Sequence, residues 1–144
     1  MKYCLLCLMV FLPVSGARAQ EDTVTIHIKL MNGRTGKPMK NQQVGLQDRA
    51  THGDINVHTN EVGIASLRIS KNTTILTYNT EGYVNCGDEA GGLVHNDFKV
   101  SQIVSTGIAQ PISQPNRCKK TSTVAEPGDL VLFVCPWGLL EKTL

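Results

Sequence analysis

Apolar and polar residues alternate through "TVTIHIKL": Val24, Ile26, Ile28 and Leu30 fall on one side, Thr23, Thr25, His27 and Lys29 on the other. That two-residue period is the signature of a half-buried strand. Short runs of strand-forming residues return in "QQVGLQ", "INVHTN", "IASLRIS" and "TTILTYN", each bounded by turn residues. The middle of the chain, "TEGYVNCGDEAGGLVHND", is glycine-rich and carries no period, so it reads as a long excursion. Beyond it, "FKVSQIVSTGI" and "DLVLFVC" predict two more strands around a polar Pro/Ser/Asn segment. Frequent short strands without a convincing amphipathic helix predict an all-β fold, an antiparallel β-sandwich of about seven strands. The tail "WGLLEKTL" fits a helical turn or a segment along the sandwich edge. There is no internal repeat.

The first nineteen residues change what belongs to that fold. "MKYCLLCLMVFLPVSGARA" has Lys2, an apolar run from Cys4 to Val14, and an A-x-A site at Ala17-Arg18-Ala19. This is the pattern of a secretory signal peptide cut before Gln20, and the run is too short to span a bilayer. Residues 20–144 are therefore expected to form a single β-sandwich domain, secreted or periplasmic, with no membrane span. Charge follows the same division. The chain has 14 basic and 12 acidic residues, but Lys2 and Arg18 leave with the signal and every acidic residue stays, so the excess positive charge disappears. Nucleic-acid binding, which depends on clustered Lys/Arg displacing counterions from phosphates, loses its support. Arg117, Lys119 and Lys120 cluster only as a solvated loop face would.

The stretch "NGRTGKPMKNQQVGL" tests a second class of function. A nucleotide-binding loop needs Gly, four residues, then Gly-Lys-Ser/Thr. Here Met31 stands where the first glycine is required and Pro38 where the hydroxyl is required. Glycines that supply positive φ and a proline that stiffens the exit make this a turn after the first strand.

The order strand, "NGRTGKPMKNQQVGLQ", "VHTNEVGIASLRI", "TYNTEGY" resembles the carboxypeptidase regulatory-like, or transthyretin-like, β-sandwich modules. Their pattern runs (Asp/Asn)-x-x-Thr-Gly-x-Pro-Leu, a small apolar strand, then Thr-Asp-x-x-Gly and another strand. Thr35-Gly36-Lys37-Pro38-Met39 matches the first motif with Met for Leu, and Thr59-Asn60-Glu61-Val62-Gly63 the second with Asn60 in the acidic position. The match covers about residues 23–83. It departs from the family in Asn41-Gln42-Gln43 before the second strand and in a long cysteine-bearing insertion after Tyr83. The resemblance implies a transthyretin-like (prealbumin-like) sandwich with a binding or structural role, and it names no ligand. The family's hydroxyisourate hydrolase branch ends in Tyr-Arg-Gly-Ser, which Glu141-Lys142-Thr143-Leu144 replaces here.

Candidate chemistry is thin. His58-Thr59-Asn60-Glu61 matches the H-x-x-E pair of the metallocarboxypeptidases, with His95 as a possible third ligand, but His58 ends a predicted strand and Glu61 falls in the following turn. His52, Asp54 and His58 are a weak metal candidate, since hard and borderline ligands meet by chance in polar loops. His27 should face solvent. No G-x-S-x-G elbow occurs, and Ser66, Ser70, Ser101, Ser105 and Ser113 have no evident base. No catalytic residue and no cofactor site is predicted. Asn72-Thr73-Thr74 satisfies the N-glycosylation pattern.

Cys4 and Cys7 leave with the signal, so Cys86, Cys118 and Cys135 enter an oxidising compartment. Cys86 and Cys118 lie in polar, Gly- or Pro-adjacent segments and are expected to bridge, the alternative being two thiols. Closing a loop of about thirty residues contributes about 3–4 kcal/mol in the chain-entropy model. Cys135 follows Val131-Leu132-Phe133-Val134 and is expected to be buried and reduced. The function these features favour is a non-catalytic exported module with a binding or structural role in the cell envelope or secretome. The alternative is a small secreted hydrolase or metal-dependent enzyme. A protein or carbohydrate is the expected ligand class, and exposed edge strands invite self-association.

Overall fold

The computed structural model describes residues 22–79, 83–86, 97–110, 118 and 124–136. The signal segment 1–19, His95, most of the insertion 84–97, the basic residues 117, 119 and 120, Ser113 and the tail beyond Pro136 lie outside these residues.

Among the described residues there are nine strands and one helix: β1 (Thr23–Asn32), β2 (Gln43–Asp48), β3 (Asp54–His58), β4 (Ile64–Ser70), β5 (Thr74–Asn79), β6 (Tyr83–Asn85), β7 (Asp97–Lys99), α1 (Val100–Thr106), β8 (Ile108–Ala109) and β9 (Asp129–Pro136). They form two sheets. One runs β4-β1-β9-β6, with β8 also on β9, and the other runs β3-β2-β5-β7. The all-β, two-sheet expectation holds in this form. No helix among the described residues is long and apolar enough to cross a membrane.

Three expectations need correction. The strand count is nine rather than about seven, because β6, β7 and β8 are only two or three residues long and carry too little sequence for a period to show. The sheets are not wholly antiparallel. β9 runs parallel to β1, from His27↔Asp129 to Asn32↔Val134, and parallel to β8. The segment "FKVSQIVSTGI" is not one strand: after β7 it turns into α1, which buries Val100 and Ile103 and packs Val104 on the core. Those three sit at i, i+3 and i+4, one side of a helix. Their β-branched side chains favour strands in isolation, and burial against the sandwich overrides that preference. The helix stops at Gly107, whose φ of 71° lets its N–H reach the Ile103 carbonyl.

Alternation decides the core. In β1, Ile26, Ile28 and Leu30 point between the sheets, where they meet Val44 and Leu46 of β2, Ile75 of β5, and Leu130, Leu132 and Val134 of β9. β4 pairs with β1 so that Ala65 lies opposite Ile28 and Leu67 opposite Ile26, extending the same apolar face. β9 differs from the other strands. Val131, Phe133 and Cys135 on its other face are buried too, in a second cluster with Cys86 and Cys118, flanked by Met31, Ala109 and Ala125.

Candidate functional site

Two regions concentrate the chemistry: a pair of turns at one end of the sandwich, and the cysteine cluster on the outer face of β9.

The first turn leaves β1 at Asn32. The Asn32 side-chain oxygen accepts the N–H groups of Arg34 (2.9 Å) and Thr35 (3.1 Å), and its carbonyl accepts that of Gly36 (2.7 Å). Gly36 takes a φ of 70°, which a side chain would resist. The chain doubles back so that Pro38 bridges Met31 and the Met39 N–H reaches the Leu30 carbonyl. The second turn is built the same way around Asn60, whose side-chain oxygen accepts from the Val62 and Ile64 N–H groups. These are Asx turns.

The two turns hold each other. Thr59 is 2% exposed; its hydroxyl donates to the Met39 carbonyl (2.7 Å) and accepts from the Gln42 N–H (3.0 Å). Its backbone also exchanges bonds with Asn41 and Gln42. Gly63, at a φ of 80°, lies so close to Pro38 that a Cβ would come 2.6 Å from that ring's Cβ. Asn41 closes the contact by donating to the Glu61 carboxylate at 3.0 Å. The side chains of Thr35, Thr59, Asn60 and Glu61 in these motifs are thus engaged in holding the fold.

The weak metal candidates do not converge. Asp54 and His58 are both exposed at opposite ends of β3, and four residue steps along the strand separate their Cα atoms by roughly 13 Å. His52 sits in the β2–β3 turn at a φ of 55°, its N–H on the Asp48 carbonyl. The H-x-x-E pair is likewise split, since Glu61 faces Asn41 while His58 ends β3. His27 is half-exposed as expected, but it has a neighbour that the chain pattern did not indicate. The parallel register sets Asp129 directly opposite it, with Nδ1 3.7 Å from the carboxylate, and Lys29 Nζ lies 2.5 Å from the other oxygen. Asn72 is exposed at the β4–β5 turn, on the rim of a shallow depression with Asp48, Arg49 and Ser70.

The cysteines do converge. Cys86 and Cys118 form a disulfide with a Cα–Cα distance of 5.9 Å, and Cys135 is a buried thiol outside that bond. The expected bridge is covered: Cys86 is 1%, Cys118 2% and Cys135 7% exposed. The burial has a physical cause, because Cys86 follows β6 directly and its N–H bonds the Phe133 carbonyl, which draws it onto the apolar outer face of β9. Gly33 makes room for the bridge. A Cβ there would stand 2.5 Å from Cys86 Sγ and 2.7 Å from Cys118 Sγ, closer than packing allows.

Gln110 completes the wall. Its N–H bonds the Val131 carbonyl and its side-chain oxygen accepts the Phe133 N–H at 3.0 Å, so the amide prolongs the β8 ladder by one step. Among the described residues, Cys86, Cys118 and Cys135 are the only group of three or more His, Cys, Asp or Glu whose ligand atoms all lie within 4.8 Å of one another. Two of those sulfurs are consumed by the disulfide, so the trio as it stands does not offer the three or four protein ligands that a zinc site needs.

No family model, curated protein or solved structure matches the chain.

Proposed function

We propose that this chain is a non-catalytic exported β-sandwich module of the carboxypeptidase regulatory-like or transthyretin-like type, with a binding or structural role in the cell envelope or secretome. The observation that carries the reading is the mutual docking of the two turns through Thr59. The motifs that prompted the family resemblance act here as turn chemistry, which is the use a scaffold makes of them. The covered disulfide supports an oxidising compartment. A protein or carbohydrate that engages exposed loop surface is the ligand class, and the polar edge strand β3, with Asp54, Asn56 and His58 turned outward, is the place for pairing with a second copy.

Expression of the full chain in an exporting host tests the reading. A mature N-terminus at Gln20 in the extracytoplasmic fraction, with retention of a protein or polysaccharide from native envelope material, is the expected result. An uncleaved chain held in the cytosol overturns export. Stoichiometric bound metal together with hydrolytic turnover moves the assignment to a small secreted hydrolase or metal-dependent enzyme.

A further inference from the structure

The disulfide and the third cysteine are close enough to react. All three sulfurs lie within 4.8 Å of one another, and they share one apolar cluster with Val131 and Phe133. The β6–β9 ladder brings Cys86 and Cys135 together there. The β6–β9 register pairs Val84 with Cys135, and the Cys86 N–H bonds the Phe133 carbonyl, so Cys86 and Cys135 occupy one face of adjacent strands, one pleat apart. Gly33 then lets the bridge lie directly on the end of β1, beside the same face.

We propose that Cys86, Cys118 and Cys135 form an internal thiol–disulfide exchange site, in which one bridge and one thiol are shared among three positions. The step balances without an outside oxidant. Cys135, as the thiolate, attacks one sulfur of the Cys86–Cys118 bond; a new S–S bond forms to Cys135 as the old one breaks. The bonding electron pair leaves on the displaced sulfur, which takes up the proton that Cys135 released. Attack on Cys86 yields Cys86–Cys135 and a Cys118 thiol; attack on Cys118 yields Cys118–Cys135 and a Cys86 thiol. In both products the covalent link moves onto β9, an inner strand of its sheet. Burial keeps external thiols away, while a neighbouring sulfur is held at high effective concentration, so the internal reaction outruns exchange with a solute.

The test uses the wild-type mature protein, oxidised and in native buffer at pH 7 and pH 9. It is quenched with acid and N-ethylmaleimide at intervals and mapped by non-reducing peptide mass spectrometry. The expected result is a bridge containing Cys135 in more than about 1% of molecules, the scale of an ordinary minor state. It should appear about tenfold faster per pH unit while the attacking thiol remains mostly protonated. Its rate should be independent of protein concentration and faster than global unfolding measured under the same conditions. A Cys86–Cys118 bond that stays the sole bridge at pH 9, or Cys135 bridges forming no faster than the protein unfolds, overturns the proposal. Cys118→Ser and Cys86→Ser give a second measurement: in glutathione redox buffer each is expected to close a bridge to Cys135, and failure of both to do so also overturns it.

Discussion

The two faces of β9 are both buried, by different means. Leu130, Leu132 and Val134 are covered by a whole second sheet, whose strands bring their own alternating apolar residues to the contact. Val131, Phe133 and Cys135 have no sheet above them among the described residues; their cover comes from Met31, Ala109, Ala125 and the Cys86–Cys118 bridge. A sheet face is covered cooperatively, because one strand pairing positions many side chains at once. An outer face covered by scattered segments must fix each of them separately, and a covalent bond is an economical way to do so. The contrast explains why the cysteines lie here rather than at the sandwich edge, and why "LVLFVC" is an unbroken apolar run where "TVTIHIKL" alternates.

The comparison breaks most readily at Phe133. If the outer cluster is a packed core equal to the inner one, Phe133→Ala should lower stability by about 3–5 kcal/mol and Leu132→Ala by about 2–5 kcal/mol, as large-to-small changes do at filled sites. Denaturant unfolding measures both, and a loss below about 1 kcal/mol at Phe133 alone would reduce the outer face to a loose cover.

Removal of the bridge by Cys86→Ala with Cys118→Ala comes next, at about 3–4 kcal/mol for a sequence separation of 32. The loss should vanish when the wild-type comparison is made in strong reductant. Gly33→Ala is expected to cost about 1–3 kcal/mol through overpacking against the two sulfurs. Its cost should shrink in the Cys86→Ala/Cys118→Ala background, a coupling that a double-mutant cycle reads directly. Should the penalty at Gly33 persist unchanged there, the crowding arises from the backbone and not from the bridge.

An effect on the same scale as that at Gly33 lies away from β9. Thr59→Val keeps shape but leaves the Met39 carbonyl and the Gln42 N–H without the hydroxyl, at a cost of about 1–3 kcal/mol. With Phe133→Ala it should add simply, because the Thr59 hydroxyl bonds to Met39 and Gln42 involve no residue of the outer cluster. Non-additivity between them would show that the end of the sandwich and the face of β9 act as one unit.

Much of this molecule was legible in the residues alone. The strands from Thr23 to Asn79, the core face of β1, and the turn role of Asn32 and Gly36 follow from a two-residue period and from backbone preferences, which are local properties. So does the burial of Cys135, since a strand that is apolar on both sides has no wet face to offer. The direction of β9 relative to β1 was not legible: a period of two encodes which face is buried but not which way the neighbour runs, so the meeting of His27, Lys29 and Asp129 could not be foreseen. Helix α1 was hidden because seven residues hold only three apolar positions, and these are β-branched. The separation of Asp54 from His58 needed the strand to be drawn at its full extension. The covered bridge at Gly33 needed three distant segments to be brought together. Local patterning reports how each segment would be buried; only the tertiary structure decides against what, because contact between segments far apart in the chain is set by the packing of the whole and not by the preference of any part.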